Sequence, residues 1–365
     1  MIRISVVHDL TLSDSYLRKM SQLGVDCIDF ADASWLPGVK EQGYPDLDQL
    51  LAIKRRLSSW GLAFNRVSLP DVTAEFILDR DGAELELENT VDALKVLGEA
   101  KVPIARQRFH GDTFNHLLKP YHSVHRGGYI GHGDRPRRAH HDEPRAPDLQ
   151  ERRVQVWDST ATGPPPSEAL DDWWDHFCRV YELLVPVAEE LDIKLAMHPS
   201  DVPLPETPFG SLGYHRVTDT FPSRQVGYLY CCGTRAEAGG LPLVLDELDN
   251  YGRKDRIFMI HLRNIRASLA TAGGYEEVGL DDGDMNVFKI IQALDRIGFD
   301  GCINPDHMSL HDADFAAGTD LAGAPGRLRK WLDDFTPGPQ IAHHGVAYAV
   351  GYIKAMLCAL EGVSE

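Results

Sequence analysis

Four side chains able to bind a metal ion recur through the second half of the chain: His198, Cys231, His261 and Asp306. Each stands at the end of a short apolar run. Ile193–Met197 leads into His198, Val226–Tyr230 into Cys231, Ile257–Ile260 into His261, and Gly301–Asn304, then Pro305, into Asp306. Two imidazoles, a thiolate and a carboxylate would surround a divalent ion with two negative charges. Imidazole and carboxylate accept manganese, iron or zinc, and the thiolate favours the softer ions. Four protein ligands on zinc would make a closed, structural site. A five- or six-coordinate ion such as Mn2+ or Fe2+ would keep positions open for substrate oxygens. Taken singly, each residue has an ordinary explanation: a hydrogen-bonded rim histidine, a buried packing cysteine, an aspartate capping a helix. Their common position at four successive run ends is what points to one site.

The elements needed to bring them together are readable as a beat of short strands and longer helices. Strands are expected at Ile4–Val7, Val25–Phe30, Ala63–Leu69 and Val102–Arg106, then at the four runs above. Amphipathic helices are expected at Ser13–Leu23, Asp46–Trp60, Ala83–Ala100, Glu168–Leu191, Leu241–Tyr251, Asp284–Ile297 and Ile341–Leu360. Eight strands in alternation with helices fit an α/β chain closed as a (β/α)8 TIM barrel, in which consecutive strand ends lie side by side on one rim. No glycine-rich phosphate loop follows any strand, which disfavours an open doubly wound sheet. The 365 residues are therefore expected to form a single barrel domain, 1–365.

Two stretches break the beat. Gln107–Ser167 has no sustained periodicity and holds seven of the sixteen histidines, together with a run of arginines. As a long insertion after the fourth strand, 107–167 would sit on the C-terminal face as a lid. Within it, His125-Arg126-Gly127-Gly128-Tyr129 is the most site-like piece, since paired glycines allow backbone to approach a ligand. A second irregular stretch, His311–Gln340, follows the eighth strand. The acidic run Asp281-Asp282-Gly283-Asp284 reads as solvated loop and helix-capping residues.

Composition sets the outer limits. Thirty-seven basic against 55 acidic residues leave a net charge of −18, which argues against nucleic-acid binding and anionic membranes as partners. The six cysteines are scattered without a disulfide-like spacing. The opening residues MIRISVVHDLTLSD contain no signal-peptide pattern, and no apolar run approaches the ~20 residues of a membrane span. A cytoplasmic protein is expected.

The segments AEELDIKLAMHPSDVP, LYCCGT, IHLRN, GDMNVFKIIQAL and INPDH resemble those of the mannonate dehydratase family, in the xylose-isomerase-like group of barrels. The likeness is specific from about Val185 to His307. It implies a divalent metal, usually manganese, with Fe2+, Co2+ or Zn2+ as alternatives, held by His198, Cys231, His261 and Asp306. It prefers Cys231 to Cys232 because Gly233 then falls where the family's Cys-Thr-Gly turn has its glycine. It also implies acid/base roles for His307 and for a tyrosine in the C-terminal segment. Tyr348 is the candidate, one residue from the family's position, which Ala347 takes when Gly351 and Lys354 are aligned. Ser200, Asn304 and Met308 stand where the family has Asp, Arg and Gly.

The expected reaction is dehydration of an aldonic acid to a 2-keto-3-deoxy acid. A small anionic sugar acid would be the substrate. Arg263 would pair with its carboxylate, and His125 and Arg126 would reach it from the basic insertion. An isomerase, an epimerase or a keto-sugar lyase using the same metal is the alternative, although such relatives carry more carboxylate ligands. A ligand-binding barrel without turnover is the second. Barrels of this group often self-associate, so a homo-oligomer is expected.

Overall fold

The computed structural model describes residues 1–8, 12–31, 33–69, 76, 81–107, 117–138, 167–205, 207, 209–210, 212–307 and 343–364. Its strands, in chain order, are β1 (Arg3–Val7), β2 (Cys27–Phe30), β3 (Ala63–Ser68), β4 (Ile104–Gln107), β5 (Leu118–Val124), β6 (Ile130–Pro136), β7 (Lys194–Met197), β8 (Val226–Cys231), β9 (Ile257–His261), β10 (Asn264–Ser268), β11 (Gly274–Val278) and β12 (Cys302–Asn304). Eight of them close a parallel barrel in the order β1-β12-β9-β8-β7-β4-β3-β2. All eight fall where the apolar runs predict strands.

The helices form for local reasons and then bury one face against the barrel. Asp14–Leu23 starts with the Ser13 hydroxyl accepting the Tyr16 N–H and stops at Gly24, whose φ of 76° suits a residue without a side chain. It buries Tyr16, Leu17 and Met20. Val287–Arg296 is capped by Asn286, which accepts the Lys289 N–H, and buries Val287, Ile290, Ile291 and Leu294. Each such aliphatic side chain contributes about 1.5–3 kcal/mol when fully buried. Ser167–Leu191 buries Trp173, Phe177, Val180, Tyr181, Leu184 and Ala188, at the 3–4 residue spacing of one helix face.

The helices after β7 and β8 differ from the sequence expectation. The helix Cys232–Gly252 begins nine residues before the expected Leu241, and is broken inside at Gly240 (φ 72°) next to Pro242. Those two residues interrupt the apolar period and hide the first half of the helix. A further helix, Leu212–Thr220, follows β7.

The larger difference is a second sheet. Four antiparallel strands run in the order β10-β11-β6-β5. Thus 118–136, within the stretch that lacks periodicity, is a hairpin whose β6 pairs with β11 from far along the chain. Its sequences, LKPYHSV and IGHGDRP, are polar on both faces and broken by Gly and Pro, so no alternation betrays them. Residues 108–116 and 139–166, and the His311–Gln340 stretch, lie outside the described residues.

Candidate metal centre and its roof

The strands β7, β8, β9 and β12 are neighbours in the barrel, and the four predicted ligands sit at their C-terminal ends. Cys231 is in register with His261, and His261 with Asn304. One ligand atom each from His198, Cys231 and His261 lie within 4.8 Å of one another, and all three residues are buried. Asp306 adjoins them. Its Oδ1 is 3.1 Å from His261 Nδ1, and its Oδ2 is 3.8 Å from Cys231 Sγ.

The donor set fits a divalent ion. His198 Nδ1 is 2.6 Å from the Pro199 carbonyl oxygen and can donate to it, which leaves Nε2 as the lone-pair nitrogen. His261 Nδ1 faces Asp306, while its buried Nε2 has no hydrogen-bond partner among the described residues. An imidazole so placed beside a thiol and a carboxylate is what a metal ligand requires. Burial lowers the pKa of His198, with Arg106 adding to the effect, and burial likewise lowers that of His261. Both shifts favour the neutral, ligating form. Burial pushes the Cys231 thiol up to about 12; metal coordination would deprotonate it. Burial opposes ionisation of Asp306, but His261, His307 and Arg263 outweigh it and hold the carboxyl well below its ordinary range.

Local backbone aims these groups. The Cys231 sulfur caps the helix Cys232–Gly252, accepting from the N–H and the hydroxyl of Thr234 at 3.4 and 3.2 Å. Asp306 has a φ of 52°, rare for a side-chain-bearing residue. Asn304 supports it by accepting the Asp306 N–H at 2.8 Å, and donates to Asp29 at 2.5 Å. Asp29 also accepts from Ser5 and Asn65, at 2.6 and 2.7 Å, so polar groups continue into the barrel below the cluster.

Above the cluster, the second sheet forms a roof. His307 turns Nδ1 toward both carboxylate oxygens of Glu277 on β11, at 2.9 Å each. Arg263, 3% exposed, donates to Glu237 at 2.5 Å, to Thr234 at 2.7 Å and to Glu277, with Nε 3.3 Å from Asp306 Oδ2. Its guanidinium is therefore engaged by carboxylates of the protein itself. Gly233 makes this possible, because a Cβ there would collide with the Arg263 side chain. The two carboxylates that share Arg263 diverge. Burial would raise Glu277, but Arg263 and His307 bring it down to about 2, whereas burial raises Glu237 to about 8 despite Arg263. Burial disfavours the His307 imidazolium, yet Glu277 and Asp306 overcome this and raise it to about 9.

The hairpin tip carries the other predicted residues. His125 Nε2 is 3.1 Å from Glu276 Oε2, and its ring stacks on Tyr129. Arg126 makes a bidentate pair with Asp281 at 2.5 and 2.6 Å, and Tyr129 donates to Asp282 at 2.7 Å. Tyr348, on the helix His343–Ser364, joins Arg126 and Asp281, and its hydroxyl is raised to about 12, by burial first and by Asp281 next. The structure thus brings Arg126 and Tyr348 to each other at the roof's edge, and His307 to Glu277 at its centre. Asp281 is exposed, as expected of the acidic run, and with Asp282 it also bonds to the hairpin. Glu237 and Glu277 carry no sequence motif, and only the pairing between β6 and β11 reveals the latter.

Fold and site together define a (β/α)8 barrel with a candidate His/Cys/His metal site at the C-terminal mouth. Comparison with known proteins narrows this. Residues 168–323 match the D-mannonate dehydratase (UxuA) family. Mannonate dehydratase 2 of Halalkalibacterium halodurans is 31% identical over 145 residues, covering 38% of this chain and 41% of that protein. Mannonate dehydratase of Geobacillus thermodenitrificans is 32% identical over 146 residues, 38% of each chain. The matched part thus spans about two fifths of these relatives. The fold is similar to that of the mannonate dehydratase of Streptococcus suis over 98% of this chain and 94% of that one, with a TM-score of 0.70 and 18% identity. It is less similar to an L-ribulose 3-epimerase, at 0.54 and 12%, over 100% and 99%.

Proposed function

We propose that the protein is a metal-dependent hydro-lyase that removes water from an aldonic acid, a mannonate or a close stereoisomer, to give a 2-keto-3-deoxy acid. The observation that carries this is the convergence of His198, Cys231 and His261 within 4.8 Å, in the part of the chain that matches D-mannonate dehydratases. Asp306 completes the proposed ligand set, and Mn2+ is the proposed metal, with Fe2+, Co2+ and Zn2+ as the other candidates.

A divalent ion bound there would supply Lewis-acid polarisation of the substrate's carboxylate and 2-hydroxyl. The protein's own groups then move the protons. The C2 proton is taken by a base, the C3 hydroxyl leaves as water after protonation, and the resulting enol becomes the 2-keto acid. His307 is assigned one of these transfers. With Nδ1 committed to Glu277, Nε2 is the atom that exchanges a proton with the substrate. Tyr348 is retained as the second acid/base candidate. Its contacts with Arg126 and Asp281 support a role at the roof's edge. Arg263, His125 and Arg126 are retained as substrate contacts. The ion pairs of Arg263 favour an additional role in holding Glu277 and Asp306.

The 107–167 segment is assigned as a lid, its 118–136 hairpin supplying part of the roof. No helix among the described residues is long and apolar enough to cross a membrane. A cytoplasmic, self-associating enzyme is proposed, the latter testable by light scattering. The main test loads the protein with manganese and offers a panel of hexonates and pentonates. Formation of 2-keto-3-deoxy acid from at least one supports the proposal, and its absence from all would refute it.

A further inference from the structure

We infer that Glu277 is a positioning residue for His307: it fixes the ring's orientation and tautomer from the second sheet, and Arg263 in turn fixes Glu277. The inference rests on the dehydratase reading only for its kinetic consequence.

Three independent features converge on Glu277. Both of its oxygens lie 2.9 Å from His307 Nδ1, so the ring is bound across the carboxylate at a single nitrogen. A carboxylate on Nδ1 favours the Nδ1–H tautomer and leaves the lone pair, or the transferable proton, at Nε2. Next, Glu277 is held at its other side. Arg263 reaches it while also donating to Glu237 and Thr234, which places a buried cation against Glu277. Last, the strand register sets its direction. On β11, Glu277 lies opposite Ile265 of β10 and His132 of β6, and Tyr275 lies opposite Asp134. Side chains alternate along a strand, so Glu276 points the other way, to Ser123 and His125. A one-residue slip of β11 would exchange Glu277 for Glu276 and take the carboxylate away from His307 Nδ1.

The hairpin 118–136 therefore does more than cover the mouth. Its β6 pairs with the strand that orients His307, on the side away from β10. His132, beside Glu277 across the sheet, has Asp134 3.3 Å from its Nε2 and belongs to the same charged face.

The test uses Glu277→Gln, which keeps the shape and removes the charge, with Glu277→Asp as the conservative companion. Two readouts are taken from zinc- and manganese-loaded protein. The first is the long-range 1H–15N spectrum of histidine-labelled, zinc-loaded protein, with the His307 signals identified by their loss in His307→Asn. The wild type is expected to show His307 protonated at Nδ1, and Glu277→Gln to shift those nitrogens, with a partial return in Glu277→Asp. The second is steady-state kinetics on the manganese form. Glu277→Gln is expected to lower kcat about 10–100-fold with KM within about twofold and metal content unchanged, and Glu277→Asp to recover part of the loss. Unchanged His307 nitrogens in Glu277→Gln would overturn the inference. So would a loss confined to KM or to metal content, which would mark a structural role. If wild-type protein turns over no sugar acid, the dehydratase reading fails while the spectrum still decides the Glu277–His307 contact.

Discussion

The side-chain oxygen of Asn304 accepts a 2.8 Å hydrogen bond from the backbone N–H of Asp306. The same amide donates to Asp29, so one residue ties a proposed metal ligand to the polar interior of the barrel. Asp306 needs this support because its φ of 52° lies in the left-handed region. Asn304→Ala would remove both bonds at a fully buried position. It is expected to cost about 1–3 kcal/mol of stability, the penalty for leaving the Asp306 N–H unsatisfied, and to weaken metal retention. Thermal unfolding and metal analysis of the dialysed variant check the two parts.

Removal of the metal should be felt in stability as well as activity. A ligand that binds only the folded state adds free energy that grows with its concentration over Kd. Chelation is expected to lower the unfolding temperature, and readdition of Mn2+ to restore it. His198→Ala and Asp306→Ala should each reduce metal content well below wild type, measured by elemental analysis. Equal content in all three proteins would dismiss the ligand assignment.

His307→Asn should separate chemistry from metal binding. It is expected to retain metal and to lose at least about a hundredfold in kcat, the usual scale for a proton-transfer group. Undiminished turnover would remove His307 from the mechanism.

The Glu277–His307 pair predicts a stability window. Glu277 is lowered from 4.5 to about 2, so its contribution is full above 4.5 and is lost as pH falls through 2. His307 is raised from 6.5 to about 9, so its contribution is full below 6.5 and is lost as pH rises through 9. In metal-free protein, the stability difference between wild type and Glu277→Gln should therefore be greatest between about pH 4.5 and 6.5. It should shrink on both sides. Denaturant titrations across pH 3 to 9 measure it; a difference independent of pH would contradict the pairing.

Arg126→Ala offers a contrast. The Arg126–Asp281 pair is bidentate but its arginine is 55% exposed, and such surface pairs are worth about 0–1 kcal/mol. Stability should hardly change. If the hairpin tip contacts an anionic substrate, KM should rise several-fold with kcat nearly intact; an unchanged KM would confine Arg126 to its contact with Asp281.

The barrel was readable in the chain because its code is local. A buried parallel strand is a short apolar run, and the run's last residues name the group presented at the rim. His198, Cys231, His261 and Asp306 could thus be placed together before any coordinates, since neighbouring strands bring their ends together whatever fills the loops between them. The roof has no such code. β6 and β11 are polar on both faces, and their pairing joins residues near 133 to residues near 276, a contact that no periodicity can announce. Charge partners depend on it too. Arg263 could be recognised as a residue for holding anions, but its ion pairs with Glu237, Glu277 and Asp306 follow from what the fold packs against it. The residue types set the chemistry available at the mouth, while the long-range pairing of the second sheet settles which groups are spent on one another.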